Sequence, residues 1–488
     1  MAVEGIDLAQ HRPHPPAAIG YVLSARVLRG GVGGEAHAAL VGANVVFAVV
    51  SCLLVFLLAH AAASSHPLRH AWLAWVVFAS SVQHAFNTCV GEGYMSELAT
   101  TLLAAWCGWH ALKGSEPALL AGAAALAIAG AFRLTGMIFL APLGLFVLVV
   151  APVSLAARIR TLAVFLLALA AWLVPLLAHV GPAEYGRLLW SQFSGTTEAT
   201  RVLGHRSLTL LNRNLRDVAY SLFTGVGLFN TLALPVFAAL TRPLLWPSRR
   251  TLAFAACWFA PAFLFFVAVH MGKPGYTLLL LPVTALAVAR TYAQEGRTWV
   301  LALLVAGQFG CGAVHFVQGR PPSGPAIGEG RPYREKTVLQ KLLTESRALL
   351  QATAPALRAA EQERDLASRA IDSACPSGGQ VVLLAADGEG MNWRRAMEAF
   401  PERRAVRVPS TDPHTYFVGH QGRFEIVRTD QLRLKDVCAA VWLLPPAHPL
   451  DPVMRRLARI PNVSPSWPLV TPAPLSLDLG PGARLAIE

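Results

Sequence analysis

Charged and polar side chains beside long apolar runs gather at five places in this chain. Asp7, His11, Arg12 and His14 share one short stretch with Pro13, Pro15 and Pro16. Proline fixes φ and removes backbone donors, so this stretch forms a stiff, non-helical elbow. It can hold Asp7, His11 and His14 at a membrane–water boundary, although an ordinary polar tail would carry the same residues. Glu92 and Glu97 open the third apolar segment, where carboxylates complement a helix dipole. Arg133 stands alone in an apolar run. Its guanidinium either snorkels to the interface or binds a phosphate through its two-pronged edge. Arg201, His205, Arg206, Arg213 and Arg216 follow in a long polar loop that reads as a solvated surface. His270, Lys273 and Tyr276 lie in HMGKPGY, where Gly and Pro hold one of only five lysines between a histidine and a tyrosine. Ionisable groups near membrane depth are costly and tend to be functional.

These residues need a scaffold, and composition names it. The chain of 488 residues is 54% hydrophobic and 14% charged, against roughly 25% charged in soluble domains. Ten apolar segments are expected, near 39–58, 71–86, 98–112, 117–132, 137–153, 162–179, 218–240, 252–270, 276–289 and 299–317. Several fall short of the ~20 residues of a full span. The two flanking Arg133 read as half-helices meeting at a polar turn. The expected fold is therefore a polytopic α-helical membrane protein of about ten transmembrane segments, with a C-terminal soluble α/β domain. Residues 1–38 are assigned to an external N-terminal loop, 39–317 to the membrane domain with an external loop at 180–217, and 318–488 to the soluble domain.

The net charge is +13. From Gln318 onward there are 22 basic against 18 acidic residues, so most of the excess lies in the membrane part. Basic loops of this kind follow membrane topology and anionic lipid. No basic stretch alternates with aromatics as a nucleic-acid groove requires, so no nucleic-acid partner is expected. The short loops near Arg69, Lys113, Arg158, Arg249 and Arg290 are denser in Lys and Arg than the opposite set. They are assigned to the cytoplasm, which puts all five polar sites and the C-terminal domain outside. Residues 1–15 lack a signal peptide pattern.

The tail opens with a Pro/Gly-rich linker at 319–332. A helix with Val338, Leu342 and Leu349 on one face follows, interrupted by Pro355. Strands are expected at 381–385 and 437–444, a helix at 392–400, and a hairpin at 416–427 turning at 419–422. The DGEG at 387–390 is neither a dinucleotide fingerprint nor a P-loop and reads as a turn. No CxxC or Cys/His metal spacing is present. Cys375 and Cys438 can pair if the tail faces an oxidising compartment.

Asp7, then HPPAAIGY, then GAFRLTG, then FFVAVHMGKPGYTLLLLP resembles the GT-C superfamily of polytopic glycosyltransferases. More narrowly it is similar to bacterial members related to protein mannosyltransferases and lipid A glycosyltransferases, over roughly residues 5–320. The resemblance implies a polyprenyl-phosphate-linked sugar donor, a lipid, glycan or protein acceptor, and chemistry at the outer face of the bacterial inner membrane. It makes Asp7 the nearest candidate for the first-loop catalytic acid, acting as base or through a divalent metal. Glu92 is a possible second acid. His11, His14, Arg133, His270, Lys273 and Tyr276 become donor-binding candidates. The family places its acid after a first helix that is not seen ahead of Asp7, so the chain looks as though it starts late. Two rival readings stay open: a lipid-linked sugar flippase or transporter, and an inactive truncated relative. Against a transporter, the two halves show no repeat, and the polar groups collect on one face instead of at the midplane.

Overall fold

In a hydrocarbon medium every backbone N–H and C=O must find a partner within the chain, which leaves helices as the natural form of these apolar runs. The computed structural model describes residues 18–32, 36–63, 66–197, 201–205, 207–226, 248–271, 274–292, 299, 302, 306, 354–375, 379–386, 391–408, 415–420, 423–444, 468–480 and 482–488. They fall into two units, one within Ala2–His315 and one within Leu350–Glu488.

The first unit is entirely helical among its described residues. Its elements are α1 (Ile19–Val32), α2 (Ala36–Ala62), α3 (Pro67–Ala79), α4 (Val82–Cys89), α5 (Tyr94–Ala111), α6 (Glu116–Phe132) and α7 (Leu134–Val150). There follow α8 (Leu155–Val180), α9 (Pro182–Thr197), α10 (Val202–His205), α11 (Leu208–Val226), α12 (Arg249–Ala268), a 3-10 turn (Pro274–Leu279) and α13 (Leu281–Tyr292). Within the described residues, α2, α8 and α12 contain stretches long and apolar enough to cross a membrane alone. α6, α7 and most of α13 are apolar but shorter. This is a polytopic membrane protein. Serine hydroxyls start several of these helices: Ser115 accepts from Ala118 N–H, Ser154 from Ala157 N–H and Ser248 from Thr251 N–H. Each satisfies one of the free amides of a first turn. The core runs between α2, α5, α6 and α7, around Leu54, Leu58, Met95, Leu98, Leu102 and Leu140.

Four expectations need correction. Residues 19–32, assigned to a loop, are α1; its arginines and glycines dilute the apolar signal. The segment 71–86 is two helices, broken where Ser81 Oγ accepts the His84 N–H at 3.3 Å and restarts the chain as α4. The segment 276–289 begins as a 3-10 turn and becomes α-helical only at Leu281. Residues 180–217, expected to be a loop, are largely α9, α10 and the start of α11. The segment 299–317 lies almost wholly outside the described residues, as do 227–240, the linker 319–332, the helix near 338–350, DGEG and residues 421–422 of the hairpin turn.

The second unit is an α/β domain, as expected. A six-stranded sheet runs in the order β4-β3-β2-β1-β6-β7. Its strands are β1 (Gln380–Ala385), β2 (Arg404–Arg407), β3 (Thr415–His420), β4 (Arg423–Arg428), β6 (Val437–Trp442) and β7 (Leu469–Pro472). β1 pairs in parallel with β2 and β6, while β3, β4 and β7 add on antiparallel. Alternate residues of β1 enter opposite layers. Val381, Leu383 and Ala385 pack with Trp393 and Ile371, from helices α15 (Trp393–Ala399) and α14 (Ala354–Ala374). Val382 and Leu384 pack with Tyr416, Trp442, Leu432 and Leu485. Leu432 and Leu485 belong to a second, three-stranded sheet of β5 (Gln431–Leu434), β9 (Ala483–Ile487) and β8 (Leu475–Gly480). Pro355 stands at the first turn of α14, where a missing N–H costs nothing; the helical stretch it was expected to interrupt lies outside the described residues. A Cys375–Cys438 disulfide ties the end of α14 to β6.

Candidate functional site

α6 and α7 would form one continuous helix but for a single residue. Arg133 is extended, at φ −155° and ψ 123°, and serves as the last cap of one helix and the first of the next. Its own N–H donates to Ala129 O at 2.9 Å and its carbonyl accepts from Gly136 N–H at 3.1 Å. This break points the side chain sideways, toward the first turn of α5.

There Arg133 Nε meets Glu97 Oε2 at 3.1 Å, with the Glu97 side chain 4% and the Arg133 side chain 25% exposed. Thr135, in the first turn of α7, donates its hydroxyl to Glu97 Oε1 at 2.9 Å. Gly136 makes room for the carboxylate: a β-carbon there would lie 2.9 Å from Glu97 Cγ. The guanidinium sits 4.4 Å from the centre of the Tyr94 ring and 5.6 Å from that of Tyr276. Both distances are within cation–π range. His270 packs at 5.6 Å from Tyr276, which also meets Tyr94 edge-on at 5.9 Å and Phe266 stacked at 5.8 Å.

The 3-10 turn carrying Tyr276 is fastened from below. Thr277 Oγ1 donates to Gln83 Oε1 at 3.1 Å, and Gln83 Nε2 donates to Ser221 O at 2.6 Å, linking the turn to α4 and α11. Gly275 allows the close approach, since a β-carbon would come within 2.8 Å of Asn87 Oδ1. Asn44, fully buried in α2, donates to Glu92 O at 2.9 Å and also to Val90 O, and so secures the bend before α5.

These groups form one pole of a cavity of about 500 Å³, within the ~300–1,000 Å³ of ordinary ligand clefts. Glu97, Arg133, Thr135, His270 and Tyr276 line that end. Apart from Thr197, the rest of the wall is apolar, chiefly Ile138 and Phe139 from α7, Leu189, Trp190 and Phe193 from α9, and Phe265 and Phe266 from α12. A cation beside an aromatic and aliphatic wall suits an amphiphile with an anionic head.

The fold is similar to that of ArnT. The crystal structure of ArnT from Cupriavidus metallidurans in the apo state superimposes with a TM-score of 0.54 at 13% identity, over 92% of this chain and 86% of that one. The crystal structure of ArnT from Cupriavidus metallidurans bound to undecaprenyl phosphate aligns with a TM-score of 0.48 at 13% identity, over 83% and 86%. At this identity the likeness is one of fold. No protein-family model matches the chain, and no curated protein sequence matches it at a significant level.

Of the residues singled out from the sequence, Arg133, His270 and Tyr276 come together despite their separation along the chain. Asp7, His11, Arg12, His14 and Lys273 lie outside the described residues. Glu92 sits at the bend before α5 and is not part of the cavity wall. Glu97 does stand in the first turn of α5, as expected. Beyond that expectation, it is the buried counter-ion of Arg133. The long loop also does more than cover a surface, since Gly186, Leu189, Trp190 and Phe193 of α9 build the cavity wall. Arg213 and Arg216 pair instead with Asp217. Tyr94 and Thr135 carry no sequence signal of their own. Both adjoin residues that stand out, one three positions before Glu97 and the other two after Arg133. Among the described residues no group of three or more His, Cys, Asp or Glu is placed to hold a metal ion.

Proposed function

We propose that this chain is a glycosyltransferase of the bacterial inner membrane that moves a sugar from a polyprenyl-phosphate-linked donor to an acceptor at the external face. The observation that carries the reading is Arg133: a guanidinium in the wall of a cavity of about 500 Å³ whose lining is otherwise mostly aromatic and aliphatic. The ArnT-like fold and the resemblance of GAFRLTG and HMGKPGY to GT-C enzymes support it. The ion pair is made through Nε, so the Nη groups still have donors to offer a phosphate. The apolar wall would accept the first isoprene units. His270 and Tyr276, which pack on each other in the same wall, would contact the donor's head group.

The reaction we propose is the one the resemblance implies, with Arg133 as the placed cation. A carboxylate takes the proton of an acceptor hydroxyl or amine, and the freed electron pair attacks the anomeric carbon. The bond from that carbon to the phosphate oxygen breaks, and the lipid phosphate leaves with the bonding electrons. The anomeric configuration inverts. Asp7 is the carboxylate assigned as base, on the strength of the resemblance. Arg133, with Lys273, stabilises the charge that grows on the leaving phosphate, and charge developing in the transition state is where a fixed cation accelerates a reaction most. The Cys375–Cys438 disulfide supports placing the tail outside the cytoplasm, where such bonds persist.

The test is sugar transfer in membranes carrying the full chain, with a panel of undecaprenyl-phosphate sugars as donors. Arg133→Gln is expected to lower turnover about a hundredfold or more, the scale of removing one oxyanion donor. Absence of transfer from every donor, together with no binding of undecaprenyl phosphate by the wild-type chain, would overturn the reading.

A further inference from the structure

Glu97 poses a question that the proposed chemistry leaves open. Arg133 is the one arginine among the described residues of the cavity wall. A buried carboxylate beside it is either a second base, a competitor for the donor phosphate, or a support. Its surroundings decide. One carboxylate oxygen is taken by Arg133 Nε at 3.1 Å and the other by the Thr135 hydroxyl at 2.9 Å. Gly136 closes against its Cγ, and the side chain is 4% exposed. Tyr94 and Tyr276 meanwhile hold the guanidinium by its ring-facing surface, at 4.4 and 5.6 Å. A carboxylate so enclosed is poorly placed to collect a proton from an acceptor. What it does is fix one edge of a planar cation whose face is already fixed by a ring.

We infer that Glu97 is a positioning residue: clamped by Thr135, it sets the in-plane orientation of Arg133, so that the guanidinium presents its Nη edge to an anionic lipid head without reorganising. The inference rests on the proposed function for the nature of that head. An arginine stem has several rotatable bonds, and ordering it on binding would subtract from affinity; holding it beforehand removes that cost. Lysine in place of Arg133 would keep the charge but lose the edge that Glu97 grips.

The experiment measures binding of undecaprenyl phosphate to the full-length chain in lipid nanodiscs, with melting temperature followed in parallel. Thr135→Val keeps the shape and removes the donor that clamps Glu97; it is expected to weaken binding several-fold, with melting close to wild type. Thr135→Ser restores a hydroxyl and is expected to bind within about twofold of wild type. Glu97→Ala is expected to weaken binding about tenfold or more, a charge-assisted contact being among the strongest in a protein. Tighter binding by Glu97→Ala would mean that the carboxylate competes with the phosphate and would overturn the inference. So would wild-type affinity in both Thr135→Val and Glu97→Ala. A fall in melting temperature without a change in affinity would show a purely structural role and overturn it too. Should Glu97→Ala fail to fold, the Thr135 pair still decides. Wild-type protein that binds no undecaprenyl phosphate defeats the functional reading itself, an outcome distinct from these.

Discussion

Two cavities lie along α7, and they differ sharply in chemistry although they share that helix. The first, at its start, holds an ion pair, an imidazole and a phenol at one end of about 500 Å³. The second, toward its other end, measures about 220 Å³ and is lined by Ala104, Leu126, Leu140, Gly144, Val147 and Phe165. Both draw on α5 and α7. The second has no charged residue among those that line it, and it reads as a gap left where glycines and alanines let helices approach. The contrast teaches that apolar space is cheap in a helical bundle, whereas a paired guanidinium in such space is not. Burying two charges costs several kcal/mol per ion before their attraction repays it, so a pair retained at a cavity wall signals use.

Five variants can break or sharpen that contrast, all read as undecaprenyl phosphate binding and melting of the full chain. Arg133→Gln should have the largest effect, about a hundredfold in affinity, with melting lowered because a buried Glu97 left alone costs about 3–5 kcal/mol. The double variant Arg133→Gln with Glu97→Gln should regain melting and not binding. Recovery of binding would erase the distinction between the two cavities.

Gly186→Leu comes next. Gly186 lines the first cavity, and a β-carbon there meets nothing within 4 Å. The larger side chain should fill the apolar part and weaken binding about tenfold, while melting holds or rises because glycine inside a helix costs about 0.8–1.0 kcal/mol. Trp190→Ala should weaken binding only a few-fold, since the ring is 69% exposed and lines the cavity from one side, a loss of about 1 kcal/mol in contact. Leu140→Ala, in the wall of the second cavity, should leave affinity unchanged. Its side chain is buried, at 2% exposure, so melting should fall by the equivalent of about 2–5 kcal/mol. A change in affinity there would mean that the second cavity also serves the ligand.

Part of this site is legible in the amino-acid sequence. A lone arginine between two short apolar runs predicts a break in the helix and a functional side chain at it, and the residues of HMGKPGY predict a tight turn carrying His270 and Tyr276. These are local signals, written within a few residues of the feature they describe. The role of Glu97 is hidden because its partner lies on another helix, and no periodicity within α5 says which face Arg133 will approach. α9 reads as surface because its aromatic residues sit among polar ones, and only packing shows that Trp190 and Phe193 turn toward a cavity. In the tail, β1 and β6 are clear as continuous apolar runs. β2 and β5 are not, being short and carrying arginines beside or between their apolar residues, and β8 interleaves serine and aspartate with its leucines. α14 is obscured by Pro355, which the ordinary rule reads as a breaker and which here stands at the one turn that tolerates it.

Gly136 has a consequence for how this chain can change over generations. The space a β-carbon would need at that position is occupied by the Glu97 side chain, 2.9 Å away at Cγ. The two positions are therefore genetically coupled through the room they share. A mutation that enlarges residue 136 is deleterious while Glu97 stands, and becomes tolerable only after residue 97 has shortened, which in turn strands Arg133. Enlarging residue 136 and removing the carboxylate at 97 are each expected to disturb the pairing with Arg133. Drift at these three sites is blocked by order of events as much as by chemistry, and a lineage that once acquired the arrangement would find it hard to leave.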